Sequence, residues 1–508
     1  MHVILALMLS VAAWVELRRR VGAWRPGFAR SALVLDFLPV ALGLLLFTMA
    51  SSRPLLAAVV VSAAASGLAL CDAVKRETLC EPVVFADRAE LLELFRHPRL
   101  YLPFAGTGIV LGGAAVIVAV LTLLAWLEPP LTQRSAITAA SEEVGAFLLG
   151  WAAFAIPSIP PLARRLSRLY RRWNIHNDPA ADMTRLGMLG CFVAHATIAR
   201  AERNERQRTA TSFLPDSLPR TGPVVVVQAE SFMDLRRLDP GLGEVVQPAW
   251  GRLAQDACQV GRFAVPAWGA NTVRTEFAVL SGLPEAELGL DRFNPYEAFA
   301  DGTPRSLAAL ARRCGYRTVC VHPFDLSFYR RSSLLPSLGF DRMIGPEAFG
   351  GEVTPGEWVP DVALGPVIAA VLAEPGPPAF VFVITMGSHG PWLAGPPHPA
   401  IPEALKTVPS AEQIGRYAVK LAAADALIPA LQDALSGPAG GTLVYYGDHQ
   451  PSLPGYLPNP ACGGAATDYA IWQHGAEPGA RLDIEAHDLG AALAGILHRA
   501  NAAVLAIG

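Results

Sequence analysis

The sequence is short of charge and lacks any cysteine pattern. Charged side chains make up 17% of its 508 residues, and the formal net charge is only -3. It has no basic arm interleaved with aromatic residues, so we expect no nucleic-acid partner. The seven cysteines form no CxxC pair and no zinc-ligand spacing, which is typical of scattered buried thiols. Cys314 and Cys320 could pair in an oxidising compartment, but the sequence alone does not predict a disulfide.

Apolar residues are in excess and are concentrated in the first third of the chain. Hydrophobic residues account for 52% of the sequence and the mean hydropathy is +0.34, which is too apolar for an ordinary soluble enzyme of this length. A membrane-spanning helix needs roughly 20 predominantly apolar residues. Five runs approach or reach this length, at 3–15, 33–50, 54–70, 103–127 and 144–159. We therefore predict five spans, with four as the alternative, in a transmembrane helical domain over residues 1–163.

The segment that follows, residues 164–215, is predicted to be a helical linker on the membrane surface. Its mixture of arginine, tryptophan and tyrosine is typical of a helix at the level of the lipid headgroups, and residues 188–198 supply one apolar face. A solvated linker helix without lipid contact is the alternative. A cluster of serine, proline and glycine, "TATSFLPDSLPRTGP", marks a domain boundary near Pro215.

The distribution of basic residues bears on the orientation in the membrane. Segments 16–30 and 72–99 are rich in arginine and lysine, whereas the loops between the other runs hold Arg53 and Arg134. The positive-inside rule therefore places the N-terminus outside. With five spans the remainder of the chain would be cytoplasmic, and with four it would be outside.

From residue 223 onward, short β-rich runs alternate with helical stretches. The run "PVVVVQA" at 223–229 is continuous and apolar, as expected for a strand buried on both faces of a parallel sheet. Further strands are predicted at 318–321, 379–386 and 442–446, and helices at 304–313 and 411–436. This alternation predicts an α/β domain over residues 216–508.

A titratable side chain follows each of the four predicted strands. These side chains are Glu230, His322, His389, and the adjacent Asp448 and His449. Sites in open α/β sheets form beyond the carboxyl ends of the strands, so we expect these residues at one common edge. Each alone has an ordinary structural explanation, such as a cap or a packed histidine. Together, Glu230, Asp448 and His449 offer hard oxygens and one imidazole, a set suited to manganese, magnesium or zinc.

Two threonines in "GANTVRTEF" are candidates for a nucleophile that such a metal would activate. Thr272 follows a Gly-Ala-Asn turn and precedes a run with helical apolar spacing, so it is predicted near a helix N-terminus, where a phosphate is favoured. A simple helix cap would have the same pattern. The spacing alone does not distinguish Thr272 from Thr275.

Five motifs together resemble a known family. They are "QAES", "GANTVRTEF", "HPFDLSFYRR", "TMGSHGPW" and "YYGDHQPSLPG". In this order they resemble the lipoteichoic acid synthase-like phosphoglycerol transferases of the alkaline phosphatase/sulfatase superfamily. The resemblance covers most of the chain from residue 223 onward, and the preceding helical region in architecture only. It implies an N-terminal α-helical transmembrane bundle followed by an α/β alkaline-phosphatase-like, sulfatase-type catalytic domain.

The resemblance implies a metal site and a nucleophile. The implied metal ligands are Glu230, Thr272, Asp448 and His449. Thr272 lies four residues before the Glu276-Phe277 pair, which is the family's spacing for its catalytic threonine, so Thr272 would be the nucleophile. One divalent ion is implied, with manganese expected and magnesium or zinc as alternatives.

The resemblance also implies a substrate and a location. The implied substrate-binding residues are His322, Tyr329, Arg331 and His389. Arg331 would hold phosphate oxygens, and His389 would bind phosphate or assist proton transfer. The reaction would transfer phosphoglycerol from a membrane phospholipid, with phosphatidylglycerol expected, through a phospho-threonine intermediate to a glycan or polymer of the cell envelope. The family's location implies a multi-pass plasma-membrane or inner-membrane protein with an extracytoplasmic catalytic domain.

The sequence also departs from the family pattern, which leaves other functions open. Tyr329 stands where better-known members have tryptophan, the acidic residue of "HPFDL" is displaced by one position, and "GSHGPW" equally resembles phosphoethanolamine transferases. Phosphoethanolamine transfer is one alternative, and a non-catalytic membrane protein that binds phospholipid or glycan is another. A sulfatase is disfavoured because "CQVGR" at Cys258 lacks the proline of the Cys/Ser-x-Pro-x-Arg motif. A second metal site from His322, Asp325 and Asp361 has no spacing that requires it.

Overall fold

The computed structural model describes residues 1–24, 32–131, 136–155, 159–300, 305–350, 358–438, 440–453 and 465–507. The chain divides into two compact units. The first consists of Met1–Glu77, Glu81–Arg208 and Gly289–Phe293, and the second of Thr78–Cys80, Thr209–Leu288 and Asn294–Gly508. Two short segments, 78–80 and 289–293, therefore belong to a different unit from their neighbours in sequence.

Ten α-helices begin in the described part of the first unit. They are α1 (His2–Arg20), α2 (Ala32–Ser51), α3 (Pro54–Leu79), α4 (Glu90–Arg96), α5 (Pro98–Ala105), α6 (Thr107–Leu127), α7 (Ala136–Ala155), α8 (Pro160–Arg171), α9 (Pro179–Leu186) and α10 (Met188–Thr209). Three of them, α2, α3 and α6, are long and apolar enough to cross a membrane. Large apolar side chains such as Val34 and Trp126 are exposed on these helices, as expected for a lipid-facing surface.

The three membrane-length helices correspond to the predicted runs 33–50, 54–70 and 103–127. The runs 3–15 and 144–159 fall at α1 and α7, which do not qualify as spans by length and hydropathy within the described residues. Residues 156–158 lie outside the described part of the chain. Length and composition thus support three spans where five were predicted. At α1 a physical reason is visible, because its last turn is made of three arginines.

A buried ion pair joins three helices of the first unit. Arg18 Nη1 in α1 donates to Asp36 Oδ2 in α2 at 2.8 Å, and the backbone N–H of Gly190 in α10 donates to Asp36 Oδ1 at 2.8 Å. The first half of α10 is packed inside the unit, with Cys191 and Ile198 fully buried. Residues 188–198, predicted to offer an apolar face at the membrane surface, therefore contribute to the core of the protein instead.

A nine-stranded mixed sheet forms the centre of the second unit. Its strands are β1 (Val224–Ala229), β2 (Gln259–Ala264), β3 (Arg317–Val321), β4 (Arg342–Ile344), β5 (Ala379–Ile384), β6 (Thr442–Gly447), β7 (Ala466–Gln473), β8 (Ala480–Arg481) and β9 (Ile484–Glu485). Their order is β4-β3-β5-β1-β6-β7-β2-β8, and β9 pairs with β2. The strands from β4 to β6 are parallel, whereas β7 is antiparallel to both β6 and β2.

Helices cover both faces of this sheet. The α-helices of the second unit are α11 (Pro240–Val246), α12 (Pro248–Asp256), α13 (Thr272–Ser281), α14 (Glu285–Leu288), α15 (Pro295–Ala298), α16 (Leu307–Arg313), α17 (Arg331–Ser337), α18 (Leu364–Ala373), α19 (Glu403–Lys406), α20 (Ala411–Asp425), α21 (Leu427–Leu435) and α22 (Leu489–Ile507). Helices α13, α16 and α22 pack on one face, and α12, α18, α20 and α21 on the other. Burial on both sides explains why β1, β5 and β6 are continuous apolar runs.

The predicted α/β architecture is confirmed, with a difference in the sheet. The four predicted strands are β1, β3, β5 and β6, and they are neighbours in the sheet. The sheet is mixed rather than parallel because of β7 and β2, which were not predicted. Strand β2 exposes Arg262 and β7 contains Asp468, so neither is a continuous apolar run. The predicted helix 411–436 is divided into α20 and α21.

The cysteines of the described chain are free thiols. Cys320 is fully buried in β3, and Cys314 is partly buried after α16. No disulfide joins these two residues, so the pairing left open by the sequence does not occur here. Cys462 lies outside the described residues.

Asp425, at the end of α20, caps another helix. Its carboxylate accepts hydrogen bonds from the backbone N–H groups of Ala249 (2.7 Å) and Trp250 (2.8 Å) in the first turn of α12. We predict that Asp425→Ala destabilises the second unit by about 2 kcal/mol, because two buried donors lose their acceptor. Thermal unfolding of the full chain should show this as a Tm several degrees lower. The control is Asp433→Ala at an exposed position of α21, which should leave Tm unchanged. An equal loss in both variants would contradict the capping role.

Candidate active site

Four neighbouring parallel strands end at one edge of the sheet and carry predicted site residues there. Glu230 follows β1, His322 follows β3, and Asp448 and His449 follow β6. His389 lies in the segment after β5. Because these strands are parallel and adjacent, their carboxyl ends meet, as the sequence predicts.

Three of these side chains form a buried cluster. The ligand atoms of Glu230, Asp448 and His449 lie within 4.8 Å of one another. His449 Nε2 is 3.5 Å from Glu230 Oε1 and 3.4 Å from Asp448 Oδ2. Within the described residues, this is the one group of three or more such side chains that could hold a metal ion. No such cluster is formed by the candidate ligands of a second metal, which are His322, Asp325 and Asp361.

Backbone hydrogen bonds orient the cluster. His449 Nδ1 donates to the carbonyl of Gln450 at 2.9 Å, which leaves Nε2 to face the two carboxylates. Asp448 Oδ1 accepts from the backbone N–H groups of Ser231 and His449, both at 2.8 Å. Asp448 Oδ2 is buried and receives no hydrogen bond from the described residues. A buried carboxylate oxygen without a donor is costly unless a cation compensates it, so the donor set fits a divalent metal.

The electrostatics of the cluster also fit a cation. Burial, reinforced by the neighbouring Glu230 carboxylate, raises the pKa of Asp448 to about 7. Burial disfavours the charged form of His449, but the carboxylates of Asp448 and Glu230 outweigh it and raise the pKa of His449. Two carboxylates thus share one buried space, and a bound cation would favour the deprotonated form of every ligand.

Helix α13 brings the two candidate threonines to different places. Thr272 is the first residue of α13, and its side chain interacts with the Asp448 carboxylate and lowers its pKa, without closing a hydrogen bond to Oδ2. Thr275 is fully buried, and its hydroxyl donates to the backbone carbonyl of Asp448 at 2.7 Å. Because this hydrogen bond engages Thr275, the threonine that faces the cluster is Thr272.

Backbone strain is concentrated around the predicted site residues. Eight non-glycine residues of the described chain have positive φ, and four of them flank the site: Ser231, Asn271, Tyr329 and Arg330. Their φ angles lie between 51° and 64°. Such conformations persist only where the surroundings hold them, and they are frequent at active sites. Here they are adjacent in sequence to Glu230, Thr272 and Arg331.

Arg331 lies in a second buried network. Its Nε donates to Glu276 Oε1 at 3.1 Å and its Nη2 to Glu276 Oε2 at 2.8 Å, which makes a bidentate pair. Arg331 Nη1 donates to His322 Nε2 at 3.1 Å, and His322 Nδ1 donates to the carbonyl of Ile384 at 3.1 Å. Both ring nitrogens of His322 are therefore engaged. Burial and the Arg331 charge lower the pKa of His322 well below its usual range, so this ring is neutral.

Glu276 is a site residue that the motifs mark but do not explain. Its fully buried carboxylate accepts hydrogen bonds from Arg331, from the hydroxyl of Tyr296 and from Gln228 Nε2, the last at 3.0 Å. Both carboxylate oxygens of Glu276 thus accept hydrogen bonds within this network, and the charge is paired with Arg331. The available signal is its position four residues after Thr272, which places both side chains on the same side of α13.

The two remaining predicted substrate residues are only partly buried. Arg331 Cζ lies 5.4 Å from the centroid of the Tyr329 ring, a cation–π contact. His389 Nδ1 donates to the carbonyl of Gly390 at 2.7 Å, and its ring centroid is 4.9 Å from that of Trp358. Among the described residues no partner occupies His389 Nε2. Of the two predicted histidines outside the cluster, His389 is therefore the one with an available ring nitrogen.

Asp361, which the sequence analysis considered only as a ligand of a second metal, has a different position in the site. It is buried, and its Oδ1 accepts from the backbone N–H of Gly387 at 2.8 Å. The Thr385 hydroxyl interacts with the Asp361 carboxylate and lowers its pKa, although Asp361 Oδ2 receives no hydrogen bond from the described residues. The Thr385 oxygen accepts from the backbone N–H of Glu230 at 3.1 Å. Asp361 thereby holds the segment that leads from β5 to His389 and, through Thr385, the backbone at Glu230. Burial raises the pKa of Asp361 to about 6.

Comparisons with known proteins agree with this architecture. The family model described as Sulfatase matches residues 223–495. The capsular polysaccharide biosynthesis protein RkpI of Rhizobium meliloti (strain 1021) is 30% identical over 410 residues, which cover 77% of this chain and 72% of that protein.

Two solved structures are similar in fold. The lipoteichoic acid synthase LtaP from Listeria monocytogenes is 19% identical with a TM-score of 0.44, covering 58% of this chain and 77% of that one. The lipooligosaccharide phosphoethanolamine transferase A (EptA) from Neisseria meningitidis is 14% identical with a TM-score of 0.46, covering 91% of this chain and 88% of that one.

The expected superfamily is confirmed by the extent of the family-model match and of the match to RkpI. The family model covers more than half of the chain, and the similarity to RkpI extends over more than two thirds of both proteins. The protein therefore belongs to the sulfatase family, within the alkaline phosphatase/sulfatase superfamily that its motifs resemble.

Proposed function

We propose that this protein is a metal-dependent transferase that moves a phosphoglycerol group from a membrane phospholipid, phosphatidylglycerol, to an acceptor in the cell envelope. The observation that carries the proposal is the position of Thr272 at the start of α13, facing the buried cluster of Glu230, Asp448 and His449. A protein that only binds lipid or glycan needs no nucleophile beside a metal site. The name of the relative RkpI, which refers to capsular polysaccharide, supports a glycan acceptor.

Glu230, Asp448 and His449 would hold one divalent metal, with Thr272 completing the ligand set. Manganese is the proposed ion, and magnesium and zinc are the alternatives. Such an ion, when bound, lowers the pKa of a nearby hydroxyl and neutralises charge on phosphoryl oxygens. The donor-free Asp448 Oδ2 and the raised pKa of Asp448 are the observations that support it.

The residues of the chain would carry the transfer in two displacements. The Thr272 oxygen forms a bond to phosphorus while the bond from phosphorus to the diacylglycerol oxygen breaks. The acceptor hydroxyl then forms a bond to phosphorus while the bond to Thr272 breaks. In each step His389, whose Nε2 is available, passes the proton of the attacking hydroxyl to the departing oxygen.

The network around Arg331 supports glycerol over ethanolamine as the transferred alcohol. Ethanolamine carries an ammonium group, which requires an uncommitted carboxylate or an aromatic cage, whereas glycerol is neutral. In the described network the Glu276 carboxylate is already bonded to Arg331, Tyr296 and Gln228. With His322 neutral and Arg331 positive, this part of the site offers an ammonium group no compensating charge.

Thr272→Ala should abolish formation of the covalent intermediate and lower turnover roughly 10⁴-fold or more, because the attacking oxygen is lost. The measurement is intact mass spectrometry of the full chain in detergent after incubation with Mn²⁺ and either phosphatidylglycerol or phosphatidylethanolamine. We expect a glycerophosphate adduct on the wild type and none on Thr272→Ala. Thr272→Ser, which keeps a hydroxyl, is the matched control and should retain an adduct.

The same experiment separates the alternatives. Transfer by Thr272→Ala at the wild-type rate would remove this residue from the mechanism. A phosphoethanolamine adduct on the wild type would instead assign the protein to phosphoethanolamine transfer. The non-catalytic alternative would be supported by the absence of both an adduct and lipid consumption.

Asp361→Asn should weaken metal binding by roughly 10- to 100-fold, because the relay from Asp361 through Thr385 to the backbone of Glu230 loses its negative charge. Titration calorimetry of the metal-stripped full chain with Mn²⁺ measures this effect without turnover. Asp325→Asn is the control, since Asp325 is an exposed carboxylate outside the cluster. Unchanged affinity in Asp361→Asn would show that the relay does not support the metal site.

We place the second unit on the extracytoplasmic side of the membrane, because an envelope acceptor is reached from there. Protease added to intact spheroplasts should therefore cleave residues of the second unit. A cytoplasmic marker protein, which must stay intact, is the control. Cleavage that requires permeabilised membranes would place this unit in the cytoplasm and contradict the proposal.

A further inference from the structure

Helix α8 has one face turned into the first unit and another turned outward. Ala163, Ser167 and Tyr170 are buried, at the spacing of a single helix face. The exposed side carries three arginines and a fourth follows the last residue of the helix; together we call them the arginine face: Arg164, Arg165, Arg168 and Arg172. This twelve-residue helix thus has one packed side and one strongly basic side.

The charges of the arginine face have no acidic partner within the described residues. Arg164 Nε and Arg168 Nε make contacts with backbone carbonyls only. The neighbouring Arg171 is different, because it forms a bidentate pair with Glu202 on α10: Nε donates to Oε1 at 3.2 Å and Nη2 to Oε2 at 2.9 Å. The arginine that faces the protein therefore has an acidic partner, whereas the arginines that face outward have none among the described residues.

The position of α8 indicates what these charges meet. It begins five residues after α7, which exposes the large apolar side chains of Phe147 and Trp151. Helix α7 packs against α2, one of the membrane-length helices, with Leu46 lying against Gly150. Within this unit, apolar surface is thus followed directly along the chain by exposed arginine, the order expected at the boundary between acyl chains and headgroups.

We propose that the arginine face binds the phosphate groups of anionic phospholipids at the bilayer surface. Guanidinium groups bind phosphate oxygens in a bidentate manner, and arginine near an anionic bilayer gains roughly fivefold in affinity per residue. The face has four such groups and no competing carboxylate among the described residues. For the phosphatidylglycerol donor proposed above, binding here also raises the local donor concentration, a consequence that rests on the proposed function.

The test is lipid retention by the full chain in detergent, measured by native mass spectrometry in metal-free buffer so that no turnover occurs. Phosphatidylglycerol, phosphatidylserine and phosphatidylcholine with identical acyl chains are compared at equal concentration. We expect retention of both anionic lipids over phosphatidylcholine, and a steep loss of this preference with salt. Retention of phosphatidylglycerol alone would overturn the proposal, because it would indicate a headgroup pocket instead of a charged surface.

Matched variants locate the binding. Arg164→Gln with Arg168→Gln should lower the affinity for both anionic lipids roughly 25-fold, at fivefold per arginine. Arg164→Lys with Arg168→Lys keeps the charge and should retain the preference, which distinguishes lost binding from misfolding. Arg252→Gln with Arg313→Gln removes two exposed arginines of the second unit and should change nothing. Unchanged retention in the first variant, or an equal loss in the last, would overturn the assignment to α8.

The lipid measurement stands apart from the transfer reaction. Loss of anionic-lipid retention with an intact Thr272 adduct would leave the proposed function in place and concern only α8. Normal retention without any adduct would support the arginine face and count against the transferase.

Discussion

The geometry of the site depends on the buried carboxylate of Asp448. Its Oδ1 accepts two backbone N–H groups, from Ser231 and His449, and its backbone carbonyl accepts the Thr275 hydroxyl. A single residue after β6 thereby joins the end of β1 and the start of α13. A buried carboxylate is costly, and the cost is tolerated because these bonds fix one oxygen while the other faces Glu230 and His449. Loss of any one of these hydrogen bonds would leave the buried carboxylate charge less well compensated.

Helix α13 transmits this constraint to the second buried network. Thr272, Thr275 and Glu276 lie within its first two turns. Thr275 anchors the helix to the loop of the cluster, and Glu276 forms the bidentate pair with Arg331. The proposed nucleophile and the residue that orients Arg331 are therefore held by one rigid element, which fixes their separation better than two loops could.

The two units differ in where their unpaired charges lie: these are buried in the second unit and exposed in the first. In the second unit Arg331 is buried and paired with Glu276, whereas Asp448 Oδ2 and Asp361 Oδ2 are buried without a hydrogen bond from the described residues. Of these two oxygens, Asp448 Oδ2 lies in the cluster where a cation is proposed. In the first unit Arg18 is buried against Asp36, whereas the arginines of α8 remain exposed without acidic partners in the described chain. Unpaired charge thus occurs at the two places where an external ligand is proposed, a metal ion in one case and lipid phosphate in the other.

Sequence patterns were enough to identify the four central strands and the residues that follow them. Continuous apolar runs are sufficient to identify strands buried on both faces, and parallel neighbours bring their carboxyl ends together, so the cluster of Glu230, Asp448 and His449 was predictable. Strands β2 and β7 were not, because each interrupts its apolar pattern with a charged residue. Five spans were predicted, and three helices of the described chain meet the length and composition of a span; α1 does not because it ends in three arginines.

The partners of the predicted side chains depend on how separate elements pack together. Thr272 and Thr275 are equivalent in local spacing. They differ because the Thr275 hydroxyl donates a hydrogen bond to the Asp448 carbonyl. His322 and His389 both follow strands, yet Arg331 and Ile384 engage both nitrogens of the first while the second keeps one available. The role of Asp361 depends on a relay through Thr385 to Glu230, across segments far apart in sequence. Hydrogen bonds of this kind are set by the packing of separate elements, and local sequence does not record them.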